Sequence, residues 1–196
     1  MLHSLLAFVT LGLLAAAVPV VEKRQACADV IVIFARGTTE AAPIGSLVGP
    51  QFQTALEAAL GGKTLTFTGV DYPASIAGFL EGGDPAGSTT MAQDLASAAA
   101  SCPSAAIISS GYSQGGQLVH NSAKQLSASV AARINAVVIF GDPDNGQAVQ
   151  GIPASKVDVI CHVGDDICLG GDLVLEPHLT YSMDTPAAAA FVAARV

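Results

Sequence analysis

Apolar residues fall into two alternating patterns along this chain. Continuous β-branched runs, "VIVIFA" from Val30 to Ala35 and "INAVVIF" from Ile134 to Phe140, show almost no polar face, as strands covered on both sides do. Between such runs lie alanine-rich stretches with helical spacing. The pattern predicts strands over Val30 to Ala35, Thr64 to Val70, Ala105 to Ser110, Ile134 to Phe140 and Val157 to His162. It predicts helices over Leu47 to Leu60, stopped by Gly61-Gly62, and over Thr89 to Ser101, Gln114 to Leu126 and Thr185 to Val196, where Pro186 suits the first turn. There is no internal repeat and no linker. The expected fold is therefore α/β: a three-layer α/β/α sandwich around a central, mainly parallel five-stranded sheet.

In sheets of this kind, sites lie outside the carboxyl ends of the strands. Gly37 to Ser46, Asp71 to Ser88, Gly164 to Thr185 and the short turn Gly111-Tyr112-Ser113 each follow a strand, so they should share one edge. The turn belongs to "IISSGYSQGGQLVH", in which Gly111-Tyr112-Ser113-Gln114-Gly115 matches G-x-S-x-G between a predicted strand and a predicted helix. That context turns a weak pattern into a nucleophile elbow, outweighing a plain serine N-cap with incidental glycines. The turn is tight, so its neighbours must be small. The helix that follows favours negative charge developing at the serine.

A serine hydroxyl is a poor nucleophile until a base accepts its proton. Of the four histidines, His3 sits in the N-terminal apolar segment and His120 lies two helical turns from Ser113, out of reach. His162 ends a strand beside Cys161. His178, in the late loop "LEPHLTY", stands where the chain order Ser…Asp…His requires a base. The acid should precede it and follow the fifth strand. Asp165 and Asp166 both qualify, and spacing does not choose between them.

The N-terminus and the cysteines set the compartment. "MLHSLLAFVTLGLLAAAVPVVEKR" opens with an apolar run short for a bilayer span and ending in Ala15-Ala16-Ala17, which reads as a secretory signal over about residues 1–17. Residues 18–24 read as a propeptide ending in Lys23-Arg24, leaving one catalytic domain over residues 25–196. Cys27, Cys102, Cys161 and Cys168 all follow that site and suggest two disulfides, with three connectivities possible. Cys161 and Cys168 are close enough to close a local ring, which would leave Cys27 to pair with Cys102. No C-x-x-C pair supports zinc, and no metal or other cofactor is expected. The balance of 8 basic to 16 acidic residues, a formal charge of −8, argues against nucleic acid and anionic membrane surfaces as partners.

"FARGTTE", "GYSQGG", "CHVGDDIC" and "EPHLTY" together resemble the landmark motifs of the fungal cutinases, small secreted serine esterases of the α/β-hydrolase fold, in order and spacing across nearly all of the chain after residue 24. The resemblance implies Ser113 as nucleophile, His178 as base, Asp165 as acid, disulfides Cys27–Cys102 and Cys161–Cys168, and an oxyanion hole from the Gln114 amide and Thr38. Thr38 stands where the family commonly has serine; the extra methyl narrows that corner. Apolar loops flank these residues, with Ile76, Phe79 and Leu80 on one side and Leu169, Leu173, Val174, Leu175 and Leu179 on the other. Leu80, Leu173, Val174 and Leu179 are the expected substrate contacts. The expectation is a secreted, extracellular, monomeric carboxylic-ester hydrolase acting through an acyl-enzyme on cutin-like polyester surfaces and short-chain esters, without stable membrane insertion. The competing readings are an acetylxylan esterase and a non-catalytic secreted protein that kept the fold.

Overall fold

A computed structural model describes residues 27–196, so the expected signal segment and propeptide lie outside the described residues. Five strands, β1 (Val30–Ala35), β2 (Leu65–Gly69), β3 (Ala106–Tyr112), β4 (Ile134–Phe140) and β5 (Val157–Ile160), form one sheet in the order β2-β1-β3-β4-β5. Every neighbouring pair is parallel, so the sheet is wholly rather than mainly parallel. The helices are α1 (Gly49–Ala59), α2 (Ile76–Leu80), α3 (Pro85–Ser101), α4 (Gln114–Ala123), α5 (Ala128–Ala132) and α6 (Thr185–Ala193).

The continuous apolar runs follow from two cores, one on each face of the sheet. Val30, Val32 and Phe34 of β1 point to one face and pack with Phe52 and Leu56 of α1 and Ala188 and Val192 of α6. Ile31, Ile33 and Ala35 point to the other and pack with Met91 and Leu95 of α3 and Leu118 and Val119 of α4. All six β1 residues are buried, whereas the edge strands β2 and β5 are only partly covered. The three-layer expectation holds, and the register levels the strand ends: Ala35 pairs with Gly111, and Tyr112 with Phe140.

Differences from the pattern have local causes. α3 begins at Pro85, not Thr89, because the Asp84 side chain accepts the Gly87 amide at 2.6 Å and Pro85 takes the first helical position. α2 lies within the expected Asp71 to Ser88 connection, and α5 lies between the helix expected to end at Leu126 and the strand from Ile134; each is a five-residue helix capped by a serine, Ser75 or Ser127, that accepts an amide three residues on. They are too short for periodicity to register. α4 ends at Ala123 rather than Leu126, and β5 at Ile160 rather than His162. The last loop carries three 3-10 turns, Ile167–Leu169, Glu176–Leu179 and Tyr181–Asp184. Among the described residues no helix is long and apolar enough to cross a membrane.

Replacing Asp84 by Ala removes the α3 cap and should lower stability by about 1 kcal/mol, read as an earlier midpoint in urea denaturation.

Candidate active site

The strand β3 runs straight into α4 through Ser113, whose backbone is held at φ 56 and ψ −123. Non-glycine residues seldom occupy this region, and such strain collects at functional turns. The flanking glycines have steric causes. A Cβ on Gly111 would sit 2.3 Å from the Gly115 carbonyl oxygen, and one on Gly115 would sit 2.0 Å from that of Ala35 in β1. Both distances are below any tolerable contact with rigid backbone. The elbow is held by the Ser113 amide donating to Phe140 O at 2.9 Å and the Gly116 amide donating to Ser113 O at 2.7 Å.

The Ser113 hydroxyl meets the His178 ring, with Oγ 2.9 Å from Nε2. On the far side of the ring, Nδ1 lies 2.8 Å from Asp165 Oδ2. All three residues are buried: Ser113 is 6% exposed, His178 1% and Asp165 0%. The ring stacks on Tyr112, with centroids 5.2 Å apart, and the Tyr112 hydroxyl donates to the His178 carbonyl at 2.8 Å. Asp165 Oδ1 accepts the Ile167 amide at 3.1 Å, and Oδ2 also accepts the Tyr181 hydroxyl at 2.6 Å. Ser113, His178 and Asp165 thus form one hydrogen-bonded row.

Order along the chain left Asp165 and Asp166 equal; geometry separates them. Asp166 turns away and accepts the Leu173 amide at 2.9 Å, bracing the following loop. The Cys161–Cys168 disulfide closes around both residues, and Cys27–Cys102 ties the start of the described chain to the end of α3. His120 pairs instead with Asp142 in the interior, at 2.9 Å.

His162 also stands outside the row. Its Nδ1 lies 2.8 Å from the Pro177 carbonyl and its Nε2 2.7 Å from Asp184 Oδ2, so it pins the residue before His178. Burial opposes its charge, but the Pro177 carbonyl and the Asp184 carboxylate together raise its pKa above the ordinary histidine value.

The turn after β1 brings Thr38 beside α4. The Gln114 side chain donates through Nε2 to Thr38 Oγ1 at 2.9 Å and to Ser75 O at 2.8 Å. Beneath it, the Glu40 carboxylate accepts the amides of Gly37, Ser46 and Leu47 at 2.8 to 2.9 Å. The buried Arg36 donates to Glu40 O at 2.8 Å and Tyr72 O at 2.6 Å. Arg36 and Glu40 are supports that pattern reading missed. Both lie in "FARGTTE", but Arg36 reaches a carbonyl 36 residues away and Glu40 binds backbone amides, which carry no side-chain pattern.

The row opens into a crevice of about 600 Å³ lined by Thr38, Ile76, Phe79, Ser113, Val174 and Leu179, among others. Of the four expected substrate contacts, Val174 and Leu179 are on its wall. Leu80 and Leu173 are 66% and 58% exposed and stand outside that wall; Leu80 borders an adjoining hollow of about 430 Å³ with Phe79, Gln117 and Asp172.

The cutinase family model matches residues 26–196. This chain belongs to the cutinase family. A cutinase of Botryotinia fuckeliana is 60% identical over 93% of this chain and 90% of its own. The structure of a Trichoderma reesei cutinase in complex with a phosphonate inhibitor is 49% identical over 85% of this chain and 75% of its own, with a TM-score of 0.82. An acetylxylan esterase structure, 23% identical over 87% of this chain and 99% of its own with a TM-score of 0.71, shares the fold. Within the cutinase family, the G-x-S-x-G glycines of this chain have the steric basis described above.

Two predictions follow from this geometry. Gly115→Ala should cost more than about 4 kcal/mol and give little soluble protein. Gly61→Ala, where a Cβ would meet nothing within 4 Å but φ is +61, should cost only about 1 kcal/mol. Thermal melts of the two variants make the comparison. For His162, a raised folded pKa means stability that is full below about pH 6.5, its unfolded value, and lost as pH rises through the folded value. The stability gap between the native protein and His162→Gln should therefore shrink between pH 5 and pH 9, measured by melts across that range.

Proposed function

We propose that this cutinase-family serine ester hydrolase cleaves cutin-like polyesters and short-chain esters through Ser113, His178 and Asp165. The observation that carries the reading is the buried row Ser113 Oγ–His178 Nε2 at 2.9 Å and His178 Nδ1–Asp165 Oδ2 at 2.8 Å, opening into an apolar crevice.

Ser113 Oγ attacks the ester carbonyl while His178 Nε2 takes its proton, and buried Asp165 stabilises the imidazolium at Nδ1. The Gln114 amide at the first turn of α4 and the Thr38 turn face the developing oxyanion. Such donors are aimed before reaction begins, and losing one typically slows the chemistry about a hundred- to a thousand-fold. His178 then gives its proton to the departing alcohol, and the acyl group is left on Ser113. Water, deprotonated by His178, releases the acid and restores the serine.

Substrate class is argued from the rim. Ile76, Val174 and Leu179 line the crevice at 46% to 61% exposure, and Leu80 and Leu173 stand exposed outside its wall, which suits acyl chains and an apolar polymer surface better than a sugar acetate. The two disulfides and the −8 formal charge fit an extracellular place of work.

A fluorophosphonate should label the native protein and not Ser113→Ala, detected by intact mass. Absence of label on the native protein would remove the assignment. Hydrolysis of cutin and p-nitrophenyl butyrate should exceed that of acetylated xylan; the reverse ranking would transfer the chain to carbohydrate esters. Activity should fall in acid, because the proposed mechanism needs a neutral base to accept the serine proton, giving a neutral-to-alkaline working range in a pH–rate profile.

A further inference from the structure

Tyr181 is fully buried in the core beneath α1 and α6, where a phenylalanine would fill the same space. Its hydroxyl needs a separate account. That oxygen accepts the His162 amide at 2.9 Å and lies 2.6 Å from Asp165 Oδ2, the carboxylate oxygen that faces His178. An amide can only donate, so the single phenol proton is committed to Asp165. We propose that Tyr181 is a positioning residue of the hydrolytic row, its hydroxyl fixing the Asp165 carboxylate and setting how strongly that carboxylate holds the proton on His178. The proposal rests on the reading of Ser113, His178 and Asp165 as the hydrolytic residues.

The surroundings select for this bond. Burial, with the bond to Asp165 adding to it, raises the Tyr181 phenol well above its ordinary pKa, so it stays a neutral donor. The ring is stacked on His162 with centroids 4.1 Å apart and meets the His178 ring edge-on at 5.9 Å. A Cβ on Gly141 would come within 2.7 Å of the Tyr181 ring and 2.8 Å of the His178 ring, so Gly141 makes room for both. Asp165 is thus held from three directions: Ile167 N on Oδ1, and Tyr181 and His178 on Oδ2.

The sign of the effect is fixed by electrostatics. A hydrogen bond donated to a carboxylate disperses its charge and lowers its attraction for the imidazolium. Without that bond the carboxylate attracts the imidazolium more strongly, which moves the acid limb of the rate profile up, and it loses one of its fixed directions. The other groups facing His178 are Asp165, Tyr112 on β3, Glu40 and Asp172 across the crevice, Glu176 in its own turn, and the His162–Asp184 pair behind Tyr181. Tyr181→Phe changes the charge of none of them, so a moved acid limb reports the lost bond.

The test is Tyr181→Phe with active sites counted by fluorophosphonate, and kcat and KM for a short-chain p-nitrophenyl ester followed from pH 4 to 9. The expected result is a full site count, KM within about twofold, kcat lower by about tenfold, and an acid limb moved up by about half a pH unit. A second protein carrying 3-fluorotyrosine at position 181, a stronger donor of nearly the same shape, should move the limb down. A fully labelled Tyr181→Phe protein with native kcat and an unmoved limb, even if its Tm has fallen, overturns the proposal. If Tyr181→Phe does not fold, an unmoved limb in the fluorotyrosine protein overturns it equally. A native protein whose Ser113 takes no label overturns the hydrolytic reading itself, and this proposal with it.

Discussion

The crossing of α4 over β1 governs what the rest of the molecule does. At that point Gly115 approaches the Ala35 carbonyl so closely that no side chain fits, and the chain enters the helix through a serine at positive φ. Strain of this kind costs on the order of 1–3 kcal/mol and persists only where surrounding structure over-determines it. Here the register does so. Ala35 pairs with Gly111 and Tyr112 with Phe140, and the Ser113 amide is bonded to Phe140 O. The same approach sets Gln114 beside Thr38, so one steric constraint brings the Ser113 elbow and the turn after β1 together.

The other half of the site comes from a loop, and its rigidity has a different origin. Between β5 and α6 there are three 3-10 turns, cross-linked by side chains that reach backbone groups. Cys161–Cys168 closes the segment holding Asp165, Asp166 ties down the Leu173 amide, and His162 holds the Pro177 carbonyl. Each bond fixes an atom one or a few residues from a member of the row. Asp165 and His178, 13 residues apart, meet here without a regular strand or helix between them, so side-chain bonds hold the segment in place.

What could be read from the sequence follows from the range of each signal. The buried strands and the G-x-S-x-G elbow were legible because each is encoded within a dozen contiguous residues. The faces of β1 were not, since Val30 to Ala35 is apolar throughout and only the packed helices say which residue goes where. α2 and α5 escaped because five residues do not complete two turns. Chain order left Asp165 level with Asp166; resemblance chose Asp165, and the direction of a single side chain separates them in space. Arg36, Glu40 and Tyr181 act through partners distant in sequence or through backbone groups, so composition and period carry no trace of them.

Burial around the site runs opposite to the usual arrangement, and this is what unites its parts. The polar row is withdrawn from water, while Ile76, Leu80, Leu173, Val174 and Leu179 stand out in it. A buried carboxylate and imidazole interact through a low dielectric and need little reorganisation as charge moves. They can remain buried because each polar atom has a partner: Asp165 has three donors, and His178 has both ring nitrogens engaged. The exposed leucines carry the opposite cost, since apolar area left in water forgoes about 25 cal/mol per Å². On the proposed function, contact with an apolar substrate surface would recover that energy and drain water from the crevice mouth. The loops tolerate the exposure because their own hydrogen bonds, not the burial of those leucines, hold them in place.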